Sequence, residues 1–190
     1  MSVVGRRLIL PALFWLLIGI WSDVLSMAEE SPAVADTRIL IDISGSMKQN
    51  DPNNLRRPAL RLLVGLLPAE SRAGVWTFGQ YVNMQMPLGK VDQGWRAKAR
   101  EGAGKIHSRG LFTNIEEALR RSTGDWQGQE KPYQRHLVLL TDGVVDVSKN
   151  QAESAASRAR IVEQVLPALQ ARQVRVHTIA LSDRADHELL

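Results

Sequence analysis

Residues 39–47, Ile-Leu-Ile-Asp-Ile-Ser-Gly-Ser-Met, constrain this chain more than any other stretch. A short β-branched run ends on Asp42, and Ser44 and Ser46 follow at alternate positions. An apolar run of this kind reads as a parallel strand buried on both faces. The turn after such a strand is where open α/β sheets bind ligands, just beyond its carboxyl end. One carboxylate and two hydroxyls there turn three oxygen atoms toward one point. Oxygen-only donors suit a hard cation such as Mg²⁺ or Mn²⁺ and suit zinc or copper poorly.

The remaining pattern supplies a sheet around that strand. The first strand is predicted over 37–43, followed by a polar loop over 48–54. A helix is predicted from between Asn53 and Pro58 to Pro68, since proline is tolerated in a first turn and stops a helix later. Its expected apolar face is Ala59, Leu62, Leu63, Leu66 and Leu67. Strands are predicted over 73–78 and 81–88. The Gly79-Gln80 link between them is so short that the pair has to be an antiparallel hairpin. Met84 and Met86 are expected on one face of the second strand as packing residues. A polar helix is predicted over 92–105, then a loop over 108–113. A further helix spans 114–122, capped near Thr113 or Asn114 and closed by Gly124. After a surface loop over 125–132 comes the expected central strand, 137–140, with Thr141-Asp142-Gly143 directly behind it. A long helix over 150–173, kinked at Pro167, leads to a strand over 174–181. Residues 183–190 read as the first turn of another helix. Strands alternating with helices define an α/β class, a doubly wound, mostly parallel sheet with one antiparallel edge strand. The switch point falls beside the strand that ends at Asp42.

With 190 residues the chain has room for one domain with a full core. Its formal net charge is +4; Arg6, Arg7 and Asp23 account for one of these charges, leaving +3 on the rest. So weak an excess, with no basic stripe or stacking aromatics, gives no case for nucleic-acid binding. Residues 1–28 have the pattern of a cleaved signal peptide. Arg6-Arg7 is a positive start, 8–21 is an uncharged apolar core, and Ser26-Met27-Ala28 places small residues before Glu29. An uncleaved anchor is the alternative, although Pro11 interrupts a run already short for spanning. A twin-arginine signal fits the flanking residues weakly. Residues 29–36 read as a linker. The chain has no cysteine, which rules out disulfides, thiolate metal sites and a cysteine nucleophile.

Three loops at strand ends carry chemistry: 42–47 with Asp42, Ser44 and Ser46, 110–115 with Thr113, and 141–143 with Asp142. Each alone is weak, because aspartate and serine also satisfy turns. Three in order, two of them straight after apolar strands, point to a site. Asp51 and Asp146 lie near these loops, and the plainer reading of each is a solvated carboxylate. His107 and His136 offer no ligand spacing; His177 faces a sheet layer. Trp76 is expected in the core, while the sequence leaves Trp95 and Trp126 undecided.

At these residues the chain resembles a von Willebrand factor A domain, in particular the bacterial secreted or periplasmic branch. The resemblance runs from about Thr37 to the end, 37–190, and implies that the family's closing helix and strand are cut off. The family's five-residue metal-ion-dependent adhesion site maps onto Asp42, Ser44, Ser46, Thr113 and Asp142. The resemblance implies a Rossmann-like fold and a Mg²⁺ or Mn²⁺ ion coordinated directly by Ser44 and Ser46. Thr113 and Asp142 would exchange between direct and water-mediated contact, and Asp42 would act largely through water and hydrogen bonds. It further implies a non-catalytic module that binds a partner protein's Asp or Glu carboxylate, periplasmic or attached to the envelope. Two rival readings stand beside it. A Mg²⁺-dependent hydrolase of the phosphatase kind also puts an aspartate after its first strand, but needs a second acid where this chain has Ser44. In the other, the ion only braces the three loops.

Overall fold

The computed structural model describes residues 34–126, 133–183 and 185–190. The expected signal segment, residues 29–33 of the expected linker and most of the 125–132 loop lie outside these residues. The first strand begins earlier than the sequence predicts. β1 is Ala35–Asp42, so Asp36 belongs to the sheet rather than to a linker. A single helical turn, α1 (Met47–Asn50), follows the Ser44-Gly45-Ser46 turn. Next come α2 (Arg56–Leu66), β2 (Arg72–Phe78) and β3 (Val82–Lys90). The order continues with α3 (Gln93–Gly102), α4 (Ile115–Thr123), β4 (Gln134–Thr141), α5 (Gln151–Arg160), α6 (Leu166–Ala171) and β5 (Arg175–Ala180). Among the described residues no helix is long and apolar enough to cross a membrane.

The five strands lie in the order β3-β2-β1-β4-β5. β1 pairs in parallel with both β2 and β4, β4 pairs in parallel with β5, and only β2–β3 is antiparallel. The expected architecture is therefore present, with one correction. The central strand is β1, not the strand ending at Leu140, which is its neighbour. Strand order reverses at β1, so its carboxyl end opens the crevice where such sheets hold ligands. The β1 residues Ile39, Leu40 and Ile41 are essentially inaccessible to solvent, as a strand covered on both faces requires.

Two apolar layers sandwich the sheet. Leu40, Trp76, Phe78, Leu137 and Leu139 pack with α4 and the long C-terminal helix. Ile39, Ile41, Val75 and Leu140 pack with α2 and α3 on the other face. Trp95 and Trp126, undecided from sequence, are both buried.

Three packing expectations need correcting. In α2 the residues turned fully inward are Arg56, Leu60 and Val64, with Ala59, Leu63 and Leu67 partly buried beside them. Leu62 and Leu66 remain 64% and 69% exposed. The run Leu-Arg-Leu-Leu-Val-Gly-Leu-Leu is apolar nearly all round, so spacing alone picks the stripe poorly. In β3, Trp76 pairs with Met84 and Val75 with Met86, an extra residue at Gln85. That bulge breaks the two-residue alternation, so Met86 packs inward and Met84 is exposed. Finally, residues 185–190 form turns rather than a helix, held by Arg158, whose guanidinium donates to Asp186 at 2.6 and 3.1 Å. The expected kink at Pro167 takes the form of a π-helical turn, Ile161–Val165, ahead of α6. Proline has no N–H to give the carbonyl one turn back and crowds it, so the ladder widens there.

Candidate metal centre

The site is built from three backbone segments that meet at the carboxyl ends of β1 and β4. Asp42 closes β1 and is completely buried. Its Oδ1 accepts from the Ser44 N–H at 2.8 Å, an aspartate-centred turn that throws the chain back over the strand end. Its Oδ2 accepts from the Thr141 hydroxyl at 2.6 Å, and that hydroxyl also accepts from the Gly143 N–H at 3.0 Å. Thr141 thus ties the ends of the two strands together. Its place directly before Asp142 is visible in the sequence, but its role is not.

Ser44 and Ser46 face each other with hydroxyl oxygens 3.0 Å apart. Ser46 precedes α1 but makes no side-chain cap bond. Its hydroxyl donates instead to Asp142 Oδ2 at 2.7 Å. The same oxygen accepts from Asn50 Nδ2 at 2.8 Å, and Asp142 Oδ1 accepts from the Val144 N–H at 3.3 Å. Gly143 adopts φ +74°, a left-handed conformation suited to glycine, and this bends the chain away directly after Asp142.

The third segment is held by backbone bonds. Gly110 donates to the Ile43 carbonyl at 2.8 Å. A Cβ at Gly110 would come within 2.8 Å of that same carbonyl oxygen, so glycine permits the approach. Thr113 exchanges backbone bonds with Asp146, at 2.5 and 3.3 Å. Asn114 then caps α4, its Oδ1 accepting from the Glu117 N–H at 3.0 Å. Between Gly110 and Thr113, Phe112 sits at φ +56°, a strained value for a bulky residue.

Four of the five predicted residues, Ser44, Ser46, Thr113 and Asp142, line one open cavity of about 400 Å³. Asp42 stands behind it and does not line it. Burial pushes the Asp42 carboxyl up to about 6, against hydrogen bonds from Ser44 and Thr141 that pull it down; the nearby Asp142 charge adds to the rise. The donors to both carboxylates are neutral: hydroxyls, an amide and backbone N–H groups. The pocket gathers negative charge and hydroxyl oxygens, a donor set that fits a hard cation. Among the described residues no group of three or more His, Cys, Asp and Glu side chains is placed to hold a metal, so the fit rests on hydroxyls together with carboxylates.

Asp51 is not the solvated carboxylate that the sequence favours. It is buried, accepts from the Leu55 N–H at 2.6 Å, and pairs with Arg56 Nε at 2.7 Å. The Arg56 guanidinium, inaccessible to solvent, also donates to the Asp42 carbonyl and to Ser108 Oγ, the latter at 2.6 Å. One arginine thereby clamps the end of β1 to the segment that carries Thr113. No spacing rule marks Arg56; the only signal was a cation five residues after an aspartate. Asp146 is exposed on the rim of the cavity.

The model of the von Willebrand factor type A domain matches residues 36–190. No curated protein sequence matches the chain at a significant level. Among solved structures, a von Willebrand factor type A protein from Catenulispora acidiphila superposes with a TM-score of 0.60 at 20% identity, over 83% of this chain and 42% of that one. The manganese-loaded TRAP protein of Plasmodium vivax gives 0.61 at 20% identity, over 82% and 60%. The conserved hypothetical protein BatB of Bacteroides thetaiotaomicron gives 0.53 at 21% identity, over 76% and 65%. The chain spans less than two thirds of the length of each, and likeness at this identity speaks for the fold. The fold and the family match over residues 36–190 agree: the chain belongs to the von Willebrand factor type A family.

Proposed function

We propose that this domain is a non-catalytic, metal-dependent protein-binding module. In this reading Ser44, Ser46, Thr113 and Asp142, with Asp42 behind them, hold Mg²⁺ or Mn²⁺, and the ion engages an Asp or Glu carboxylate of a partner protein. The observation that carries it is the gathering of Ser44, Ser46, Thr113 and Asp142 around one open cavity, the two serine hydroxyls 3.0 Å apart, with only neutral donors on both acids. Domains of this family are interaction and adhesion modules, in general without enzymatic activity. The manganese in the Plasmodium vivax relative supports a divalent ion in the fold.

A bound ion would supply an electrophilic centre with a coordination position left for an anionic oxygen. The chain's own residues do the rest. Asp42 fixes the Ser44 backbone and so the aim of the turn. Asp142 orients the Ser46 hydroxyl. Thr113 stands across the cavity on a separate segment. Leu111 and Val144 line the same cavity and are 67% and 48% exposed. They supply apolar contact around a carboxylate that a charged site alone would not give. In this reading a cleaved signal segment would deliver the module to the periplasm or envelope, and an uncleaved one would tether it to the membrane.

The test is capture of partners from an envelope extract on the immobilised protein, in Mg²⁺ and in chelator, with an Asp142→Ala control. The proposal expects a protein retained only by wild type and only with metal. Retention indifferent to chelator and to Asp142 would place binding on another surface.

A further inference from the structure

His136 and His177 are 41 residues apart in the chain, and register brings them together. In the β4–β5 pair His136 lies opposite Arg175 and Val138 opposite His177, so the two histidines are diagonal neighbours on one face. His136 Nδ1 stands 3.2 Å from His177 Nε2. The rings are 5.5 Å apart at their centroids and tilted by only 16°. His177 is exposed and His136 half-buried, at the open edge of the sheet.

We propose that His136 and His177 form a second metal site, a two-nitrogen chelate for a borderline transition ion such as Zn²⁺, Ni²⁺ or Cu²⁺. Metal–imidazole bonds run about 2.0–2.1 Å, so two of them spanning 3.2 Å meet at roughly 100°, between a square and a tetrahedral angle. The 3.2 Å contact is a hydrogen bond between the rings, so on metal binding the donating ring moves that proton to its other nitrogen and both facing lone pairs are left for the ion. Waters complete the shell. Burial, then the neighbouring His177 and Arg175, hold His136 below the ordinary histidine value, so its neutral, ligating form prevails at neutral pH. The Arg175 charge also works against a cation, which keeps the affinity below that of three- and four-ligand zinc sites. Nitrogen donors here and oxygen donors at the β1–β4 crevice select different ions, so the two sites are separable. An ion at this pair bridges β4 to the edge strand β5.

The test uses the full chain without a histidine tag. Cu²⁺ is titrated and followed by electron paramagnetic resonance, and Zn²⁺ by calorimetry. Wild type is compared with His136→Ala, His177→Ala, the double His→Gln variant and Asp142→Ala, with circular dichroism as the folding check. The inference expects one Cu²⁺ with nitrogen couplings from two imidazoles. Each single His variant should bind at least about tenfold more weakly, since even supporting groups cost that much. Asp142→Ala should leave the Cu²⁺ signal unchanged, which separates this site from the oxygen-lined one. Exposed His177 can be replaced without touching the core, so the comparison holds even if His136→Ala misfolds. Unchanged nitrogen couplings in the double variant, or no protein-bound Cu²⁺ in wild type, would overturn it.

Discussion

A buried charge has to be paired where it sits, and Arg56 meets that need with Asp51 on one side and the Asp42 carbonyl and Ser108 on the other. Removing the cation leaves Asp51 charged in a place almost closed to water. Arg56→Met should therefore cost about 3–5 kcal/mol in urea unfolding, the usual penalty for breaking one side of a buried pair. A loss below about 1 kcal/mol would mean that water or another cation reaches Asp51. At this scale the candidate site was largely legible. Asp42, Ser44, Ser46 and Asp142 follow apolar strands directly, and strand ends converge in a parallel sheet. Arg56 and Thr141 were not legible. Their partners are chosen by how the loop after α1 closes and by which strands become neighbours, and neither is written in local spacing.

Among the elements, α4 and α5 are tied by Glu116, whose carboxylate accepts from Ser157 Oγ at 2.9 Å and from Arg160 at 3.0 Å. Burial would raise this carboxyl, but hydrogen bonds from Arg160, Ser157 and Arg120 bring it below its ordinary 4.5. A carboxyl depressed by folding contributes stability that is present above its unfolded value and fades as pH falls through the folded one. Glu116→Gln should thus lower the urea midpoint at pH 7, and the gap to wild type should close below about pH 4.5. A gap that stays constant down to pH 3 would rule out the ionised tie. The segment carrying Thr113 offers a second element-level prediction. Gly110→Ala forces a Cβ against the Ile43 carbonyl oxygen. It should shift this segment and weaken Mn²⁺ binding while far-ultraviolet circular dichroism stays close to wild type. Wild-type affinity in this variant would show that the Gly110 contact does not position Thr113. Element types were readable because strands and helices alternate. The inward face of α2 and the Gln85 bulge were not, because residues 60–67 are apolar nearly all round and a bulge depends on its partner strand.

At the scale of the whole sheet, β5 is the outer strand among the described residues, and its Val176 and Ile179 are exposed. Unpaired edges with apolar side chains invite pairing between copies. The 190-residue chain should self-associate in sedimentation equilibrium, and Ile179→Lys should shift it toward monomer. A strictly monomeric wild type at high concentration would show that this edge is protected. The fold class was legible from the order of its elements, down to the antiparallel β2–β3 pair. The position of β1 at the centre was not: the apolar run 137–140 reads as the central strand, yet 39–41 is just as apolar and takes that place. The loops that make the site can be read as one site only once β1 and β4 are side by side.

That juxtaposition is what the central claim rests on, and a titration of free Mn²⁺ by electron paramagnetic resonance tests it most directly. Wild type should take up one ion in the oxygen-lined crevice. Asp142→Ala and the double Ser44→Ala, Ser46→Ala variant should each lose at least about tenfold in affinity while remaining folded, and His136→Ala with His177→Ala should not change it. Folded wild type that binds no Mn²⁺ at millimolar concentration, or binds it equally well without these oxygens, would contradict the account.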